Sequence, residues 1–101
     1  MSQKRKPKVL IADDEAHIRM LIEQIMKSMG TEIVGMAKNG QEAIDLFRKM
    51  TPDLLLMDVN MPIVDGVDAL REIVDEFPDA FIIMMTSVTD RDTIEKCINF
   101  G

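Results

Sequence analysis

The sequence predicts an α/β domain: a parallel sheet with helices on both of its faces. Three observations predict it. Short apolar runs alternate four times with segments whose apolar residues recur every three or four positions. The runs are apolar throughout rather than alternating, which is the pattern of strands buried on both faces. Helix-stopping and turn residues, among them Gly30, Asn39-Gly40, Pro52 and Pro78, separate the segments. A length of 101 residues accommodates one such domain.

Val9-Leu10-Ile11-Ala12 reads as the first buried strand. Ile18, Leu21, Ile22, Ile25, Met26 and Met29 then place one apolar stripe on a helix, with Asp13 or Asp14 as its cap and Gly30 as its stop. Ile33 to Ala37 is a second strand, weakened by Gly35, and Asn39-Gly40 turns the chain into a helix lined by Ala43, Ile44 and Phe47. Beyond Pro52, Leu54-Leu55-Leu56-Met57 is the most apolar run and reads as a central strand. A loop from Asp58 to Gly66 contains Pro62 and leads to a helix marked by Leu70, Ile73, Val74 and Phe77, ended by Pro78. Phe81 to Met85 is the fourth strand. Asp90 caps a fourth helix carrying Ile94, Cys97 and Ile98, and Gly101 stands where a helix C-terminal glycine belongs.

Composition narrows the function. The net charge of -6 disfavours a nucleic-acid or anionic-membrane surface and suits cations or a basic partner. The one basic cluster, Lys4, Arg5, Lys6 and Lys8, reads as a solvated tail over residues 1–7 running into a domain over 8–101. No apolar run is long enough to span a bilayer, the N-terminus lacks a signal-peptide pattern, and the single cysteine, Cys97, has no internal partner. A cytoplasmic location is expected. The 10 methionines fall in apolar runs or on apolar faces, as Met26, Met29, Met57 and Met84 do, and read as flexible core filler.

In an open α/β sheet, ligands bind outside the carboxyl ends of the strands. Asp13 and Asp14 follow the first strand, Asp58 and then Asn60 the third, and Thr86 and Ser87 the fourth. Lys38 and Asn39, after the second, are less distinctive. Two like charges about 4 Å apart repel by roughly 4 kcal/mol at an effective dielectric near 20. Three converging carboxylates therefore call for raised pKa values or a bound cation, and hard oxygen ligands suit Mg²⁺. A single Asp would be explained by helix capping; two, with Asp58 on another strand end, are not. A carboxylate such as Asp58 can act as a nucleophile and form an aspartyl-phosphate. Thr86 is placed to hydrogen-bond a phosphoryl oxygen, or only its local backbone.

The segments Val9 to Glu15, Asp53 to Pro62 with Asp65-Gly66, and Phe81 to Ser87 resemble the receiver domains of two-component response regulators over about residues 8 to 101. The resemblance implies a flavodoxin-like doubly wound sheet of order 2-1-3-4-5, of which four βα units (order 2-1-3-4) are present here. It also implies roles. Asp58 would take phosphate from a histidine kinase or phosphotransfer protein. Asp13, Asp14, Asp58 and the backbone carbonyl of Asn60 would hold Mg²⁺. Thr86, with Ser87 beside it, would move towards the phosphoryl group, and Pro62 and Gly66 would shape the adjoining loop. Asn60 and Val88 would lie where dephosphorylation is tuned. His17 reads as a surface residue.

The family pattern continues past the fourth helix with a fifth strand, a lysine at its end, an aromatic switch residue and a fifth helix. This sequence ends at Gly101, and none of its lysines matches that position. The expectation is an exposed apolar strand-four edge and an uncovered sheet face, completed by self-association as a homo-oligomer or left as a loose monomer. A phosphoacceptor module assisting its own chemistry, rather than an enzyme, is the leading reading, with switching impaired by truncation. An interaction module that does not switch is the rival. A phosphatase with an aspartyl-phosphate intermediate would want an acid-base Asp at position 60, where Asn60 stands. Flavin binding lacks a phosphate-cradling loop and has only 4 Phe, with no Trp or Tyr, for stacking.

Overall fold

Alternating strands and helices assemble in a computed structural model that describes residues 5–85. The elements are β1 (Lys8–Ala12), α1 (Ala16–Ser28), β2 (Glu32–Ala37), α2 (Gly40–Met50), β3 (Leu54–Asp58), α3 (Gly66–Glu76) and β4 (Ile82–Met85). All pairings are parallel, and the order is β2-β1-β3-β4. The chain thus winds outward in two directions from the β1–β3 pair, the predicted flavodoxin-like order. The fourth helix, with Asp90, Ile94, Cys97, Ile98 and Gly101, lies outside the described residues. No described helix is long and apolar enough to cross a membrane.

The unbroken apolar runs of β1 and β3 are explained by helices on both sides. Leu10, Ala12, Leu55 and Met57 pack beneath α2 and α3 against Ile44, Phe47, Leu70 and Ile73. Val9, Ile11 and Leu56 face the other way, against Met26 and Ile22 of α1. Full burial of a side chain such as Leu10 or Ile11 contributes about 1.5–3 kcal/mol. Phe77 caps α3 rather than continuing it, and its ring lies 5.1 Å from that of Phe47. Gly35 falls at the register shift that opens between Val9 and Leu10 in the β1–β2 pair.

Three expectations are corrected. The N-cap of α1 is Glu15, without a side-chain cap bond, rather than Asp13 or Asp14. The Asp13 carboxylate instead accepts the Glu15 N–H at 2.9 Å, because Asp13 is still anchored to the sheet through its own N–H to the Ala37 carbonyl. Asn39 and Gly40 do not form a turn. Asn39 is the N-cap of α2, accepting from the Glu42 N–H at 2.8 Å, while the Glu42 carboxylate accepts from the Lys38 N–H in a variant of the capping box. Finally, the apolar stripe of α1 is wider than the surface it meets: Leu21 is 53% and Ile25 49% exposed, and Met29 is exposed at the C-cap instead of filling the core. Only the ridge through Ile22 and Met26 reaches β1 and β3. Gly30 does end the helix, at φ 85°, with the Thr31 N–H bonding the Met26 carbonyl and the Gly30 N–H that of Lys27.

Among the described residues β4 is an edge strand. Its Ile83 is 45% exposed, and Phe81 just before it 65%. Ile83 lies on the α1 side of the sheet, since it pairs with Leu56, and on that side Met85 is the β4 residue that packs against the cluster under α1.

Candidate functional site

The register of the sheet builds the site. Ala12 of β1 pairs with Met57 of β3, so the next residues, Asp13 and Asp58, emerge side by side at the carboxyl end of the two central strands. Asp14 follows in the β1–α1 loop. Carboxylate oxygens of Asp13, Asp14 and Asp58 all lie within 4.8 Å of one another. Asp13 is buried, Asp58 half-buried and Asp14 exposed, so the cluster is graded from the sheet out to solvent.

Asp13 is the most constrained of the three. Its N–H bonds the Ala37 carbonyl at 3.0 Å, its carboxylate accepts from the Glu15 N–H, and its carbonyl accepts from the Arg19 guanidinium at 2.6 Å. Asp58 is held through its backbone. It pairs with Met85, and the N–H of the following Val59 bonds the Met85 carbonyl at 3.0 Å. The Gly66 N–H then bonds the Val59 carbonyl at 2.7 Å, drawing the start of α3 onto the strand end. A Cβ on Gly66 would collide with the Asp58 carbonyl. Asp65 caps that helix by accepting from the Asp68 N–H at 2.9 Å.

The electrostatics follow from this crowding. Partial burial, then the neighbouring charge of Asp13 and, more weakly, of Asp14 raise the Asp58 pKa above the ordinary carboxylate value. The backbone N–H groups of Asn60 and Val59 act in the opposite direction. The donor set fits Mg²⁺: three hard carboxylate oxygens within 4.8 Å compare with the roughly 4.2 Å that separates opposite ligands when Mg–O bonds are about 2.1 Å.

The structure therefore brings together Asp13, Asp14 and Asp58. Asn60 is exposed in the loop that leaves Asp58, and Pro62 is exposed two residues on. His17 is exposed on α1. Thr86, Ser87 and Val88 lie outside the described residues. Two features were not legible beforehand. Arg19 reaches back to the carbonyl of Asp13, a contact that no local sequence pattern signals. The Gly40 N–H bonds the Val64 carbonyl at 2.8 Å, tying α2 to the loop beside the site, and a Cβ at Gly40 would strike that carbonyl.

A parallel sheet of this order, with carboxylates gathered where the winding reverses, defines a flavodoxin-like domain with an acidic cluster at its switch point. The chain belongs to the response regulator receiver domain family, whose model matches residues 9–101. Receiver domains are the signalling modules of two-component response regulators. The chain is 36% identical over 94 residues to the chemotaxis protein CheY of Thermotoga maritima, spanning 93% of this chain and 78% of that protein. It is 45% identical over 94 residues to the transcriptional regulatory protein PdtaR of Mycobacterium tuberculosis, spanning 93% of this chain but only 45% of that one. Among solved structures it is similar to the CheX–CheY–BeF3–Mg²⁺ complex from Borrelia burgdorferi, with a TM-score of 0.89, 28% identity, and coverage of 93% of this chain and 72% of that one.

Proposed function

We propose that this receiver domain is a phosphoacceptor in which Asp58 takes a phosphoryl group from a phosphohistidine of a histidine kinase or phosphotransfer protein. The observation that carries this reading is the convergence of the Asp13, Asp14 and Asp58 carboxylates within 4.8 Å at the ends of β1 and β3. A carboxylate oxygen of Asp58 forms the new bond to phosphorus as the bond to the donor imidazole breaks, and the imidazole leaves with that electron pair. Asp13, Asp14, Asp58 and the Asn60 carbonyl would hold Mg²⁺, which when bound neutralises charge on the phosphoryl oxygens. Asp13, fixed at three points, would be the buried ligand and Asp14 the solvent-facing one.

The Asp13 and Asp14 charges that help raise the Asp58 pKa would be offset by a bound cation, leaving Asp58 ionised and able to attack. The nearby relative was crystallised with BeF3 and Mg²⁺, and that pairing supports the same chemistry here. Thr86 is proposed to contact the transferred group. The roles of Pro62 and Gly66 are to shape the loop and to let α3 approach Asp58.

The test is incubation with a small-molecule phosphodonor and Mg²⁺, followed by intact-mass analysis. The expected result is one added phosphoryl group, stable in acid and lost in base, absent from Asp58→Asn. An adduct that persists in Asp58→Asn, or none in the unsubstituted chain, would overturn the proposal.

A further inference from the structure

The β1–α1 loop carries two of the three clustered carboxylates, and what holds it is uneven. Asp13 is bonded through its N–H and its carboxylate to neighbouring backbone, but its carbonyl is bonded by a side chain from the helix that follows. That side chain is Arg19, half-buried in the first turn of α1. Arg19 is the fourth residue of α1, and its own N–H bonds the carbonyl of the N-cap Glu15 at 3.1 Å.

The Arg19 Nη1 donates to the Asp13 carbonyl at 2.6 Å, a charge-assisted bond that closes a loop from residue 13 to residue 19. That carbonyl belongs to the peptide joining Asp13 to Asp14. Fixing it fixes the plane of the peptide, and with it the direction in which the Asp14 side chain leaves the backbone.

We propose that Arg19 is a positioning residue for the metal site, clamping the Asp13–Asp14 peptide so that both carboxylates face Asp58. This rests on the reading of the three carboxylates as Mg²⁺ ligands. Groups that orient metal ligands from behind typically change affinity by about 10- to 100-fold when removed.

A clamp and a mere charge predict opposite signs. A guanidinium close to the carboxylates repels a cation, so if charge were its only effect, removing it would tighten Mg²⁺ binding. If it is a clamp, removing it frees the peptide and weakens binding.

The experiment is calorimetric titration of Mg²⁺ into the unsubstituted chain, Arg19→Met and Arg19→Lys, with thermal unfolding in EDTA as a separate measure of fold. The expected result is about tenfold weaker binding in Arg19→Met, largely restored in Arg19→Lys, which keeps both a donor and the charge. If Arg19→Met does not fold, Arg19→Gln replaces it, and weaker binding is again expected. Unchanged or tighter binding in the neutral variant overturns the proposal. So does an equal loss in Arg19→Met and Arg19→Lys that tracks a fall in melting temperature in EDTA. No Mg²⁺ binding by the unsubstituted chain overturns the metal reading itself, and this inference with it.

Discussion

Gly66 closes directly onto the backbone of Asp58: a Cβ at 66 would collide with the Asp58 carbonyl oxygen and stand 2.8 Å from the Cα of Val59. The obstacle is backbone, which has no flexible end to move aside. Gly66→Ala must therefore push α3 away from the end of β3. We expect a loss of about 1–3 kcal/mol of stability, typical of overpacking. We also expect weaker Mg²⁺ and beryllofluoride binding, because Asp58 shifts with the strand end. Denaturant unfolding and calorimetry measure the two effects, and a variant as stable as the parent would contradict the close approach.

Asp58 gives a pH dependence with a definite sign. Its folded-state pKa is raised above the ordinary value of 3.8, so the folded chain holds that proton to higher pH than the unfolded chain does. As pH rises from 3.8 through the folded pKa, this group's contribution to stability falls, and above it the full penalty persists. In EDTA at neutral pH, Asp58→Asn is expected to melt above the parent, with the gap shrinking as the pH is lowered. Mg²⁺ is expected to raise the parent's melting temperature more than the variant's. Equal or lower stability of Asp58→Asn in EDTA at neutral pH would contradict the crowded-carboxylate picture.

Ile63 holds a strained backbone with no compensating burial. Its φ is 71°, a left-handed conformation that branched side chains rarely adopt, and its side chain is 81% exposed. The left-handed conformation costs a non-glycine residue roughly 1–2 kcal/mol. Ile63→Gly removes that strain, and the added freedom of the unfolded chain offsets part of the gain. A net stabilisation of about 0.5–1 kcal/mol is expected by denaturant unfolding.

Phe81 and Ile83 are exposed at β4, and Leu21 and Ile25 are exposed on α1. Exposed apolar side chains promote association, and β4, the edge strand among the described residues, adds unpaired backbone groups. The 101-residue chain is expected to form oligomers as its concentration rises, and Ile83→Lys to shift it towards monomer. Light scattering after size exclusion reads this directly; a monomer at every concentration would rule the association out.

The caps show how far local sequence carries. Asn39 and Gly30 act within a few residues of where they stand, so residue type and spacing were enough to mark a boundary, even where Asn39 proved to be a cap rather than a turn. Asp13 shows where that ends. Its acidity and position suggested a cap, but a bond to Ala37, on another strand, decided how it lies.

The sequence by itself determined the alternation of strands and helices, the burial of β1 and β3 on both faces, and the carboxylates that follow them. Those features are periodic or contiguous, and hydrophobic burial reads them without knowing which segment lies opposite. Tertiary structure alone decided that the β1–β3 register brings Asp13 beside Asp58, that Gly40 meets Val64, that Gly66 meets Asp58, and that only one ridge of α1 is covered. It also decided that Arg19 reaches back to the carbonyl of Asp13. These are distances between segments far apart in the chain, set by how whole elements pack, and composition and local periodicity do not encode such distances.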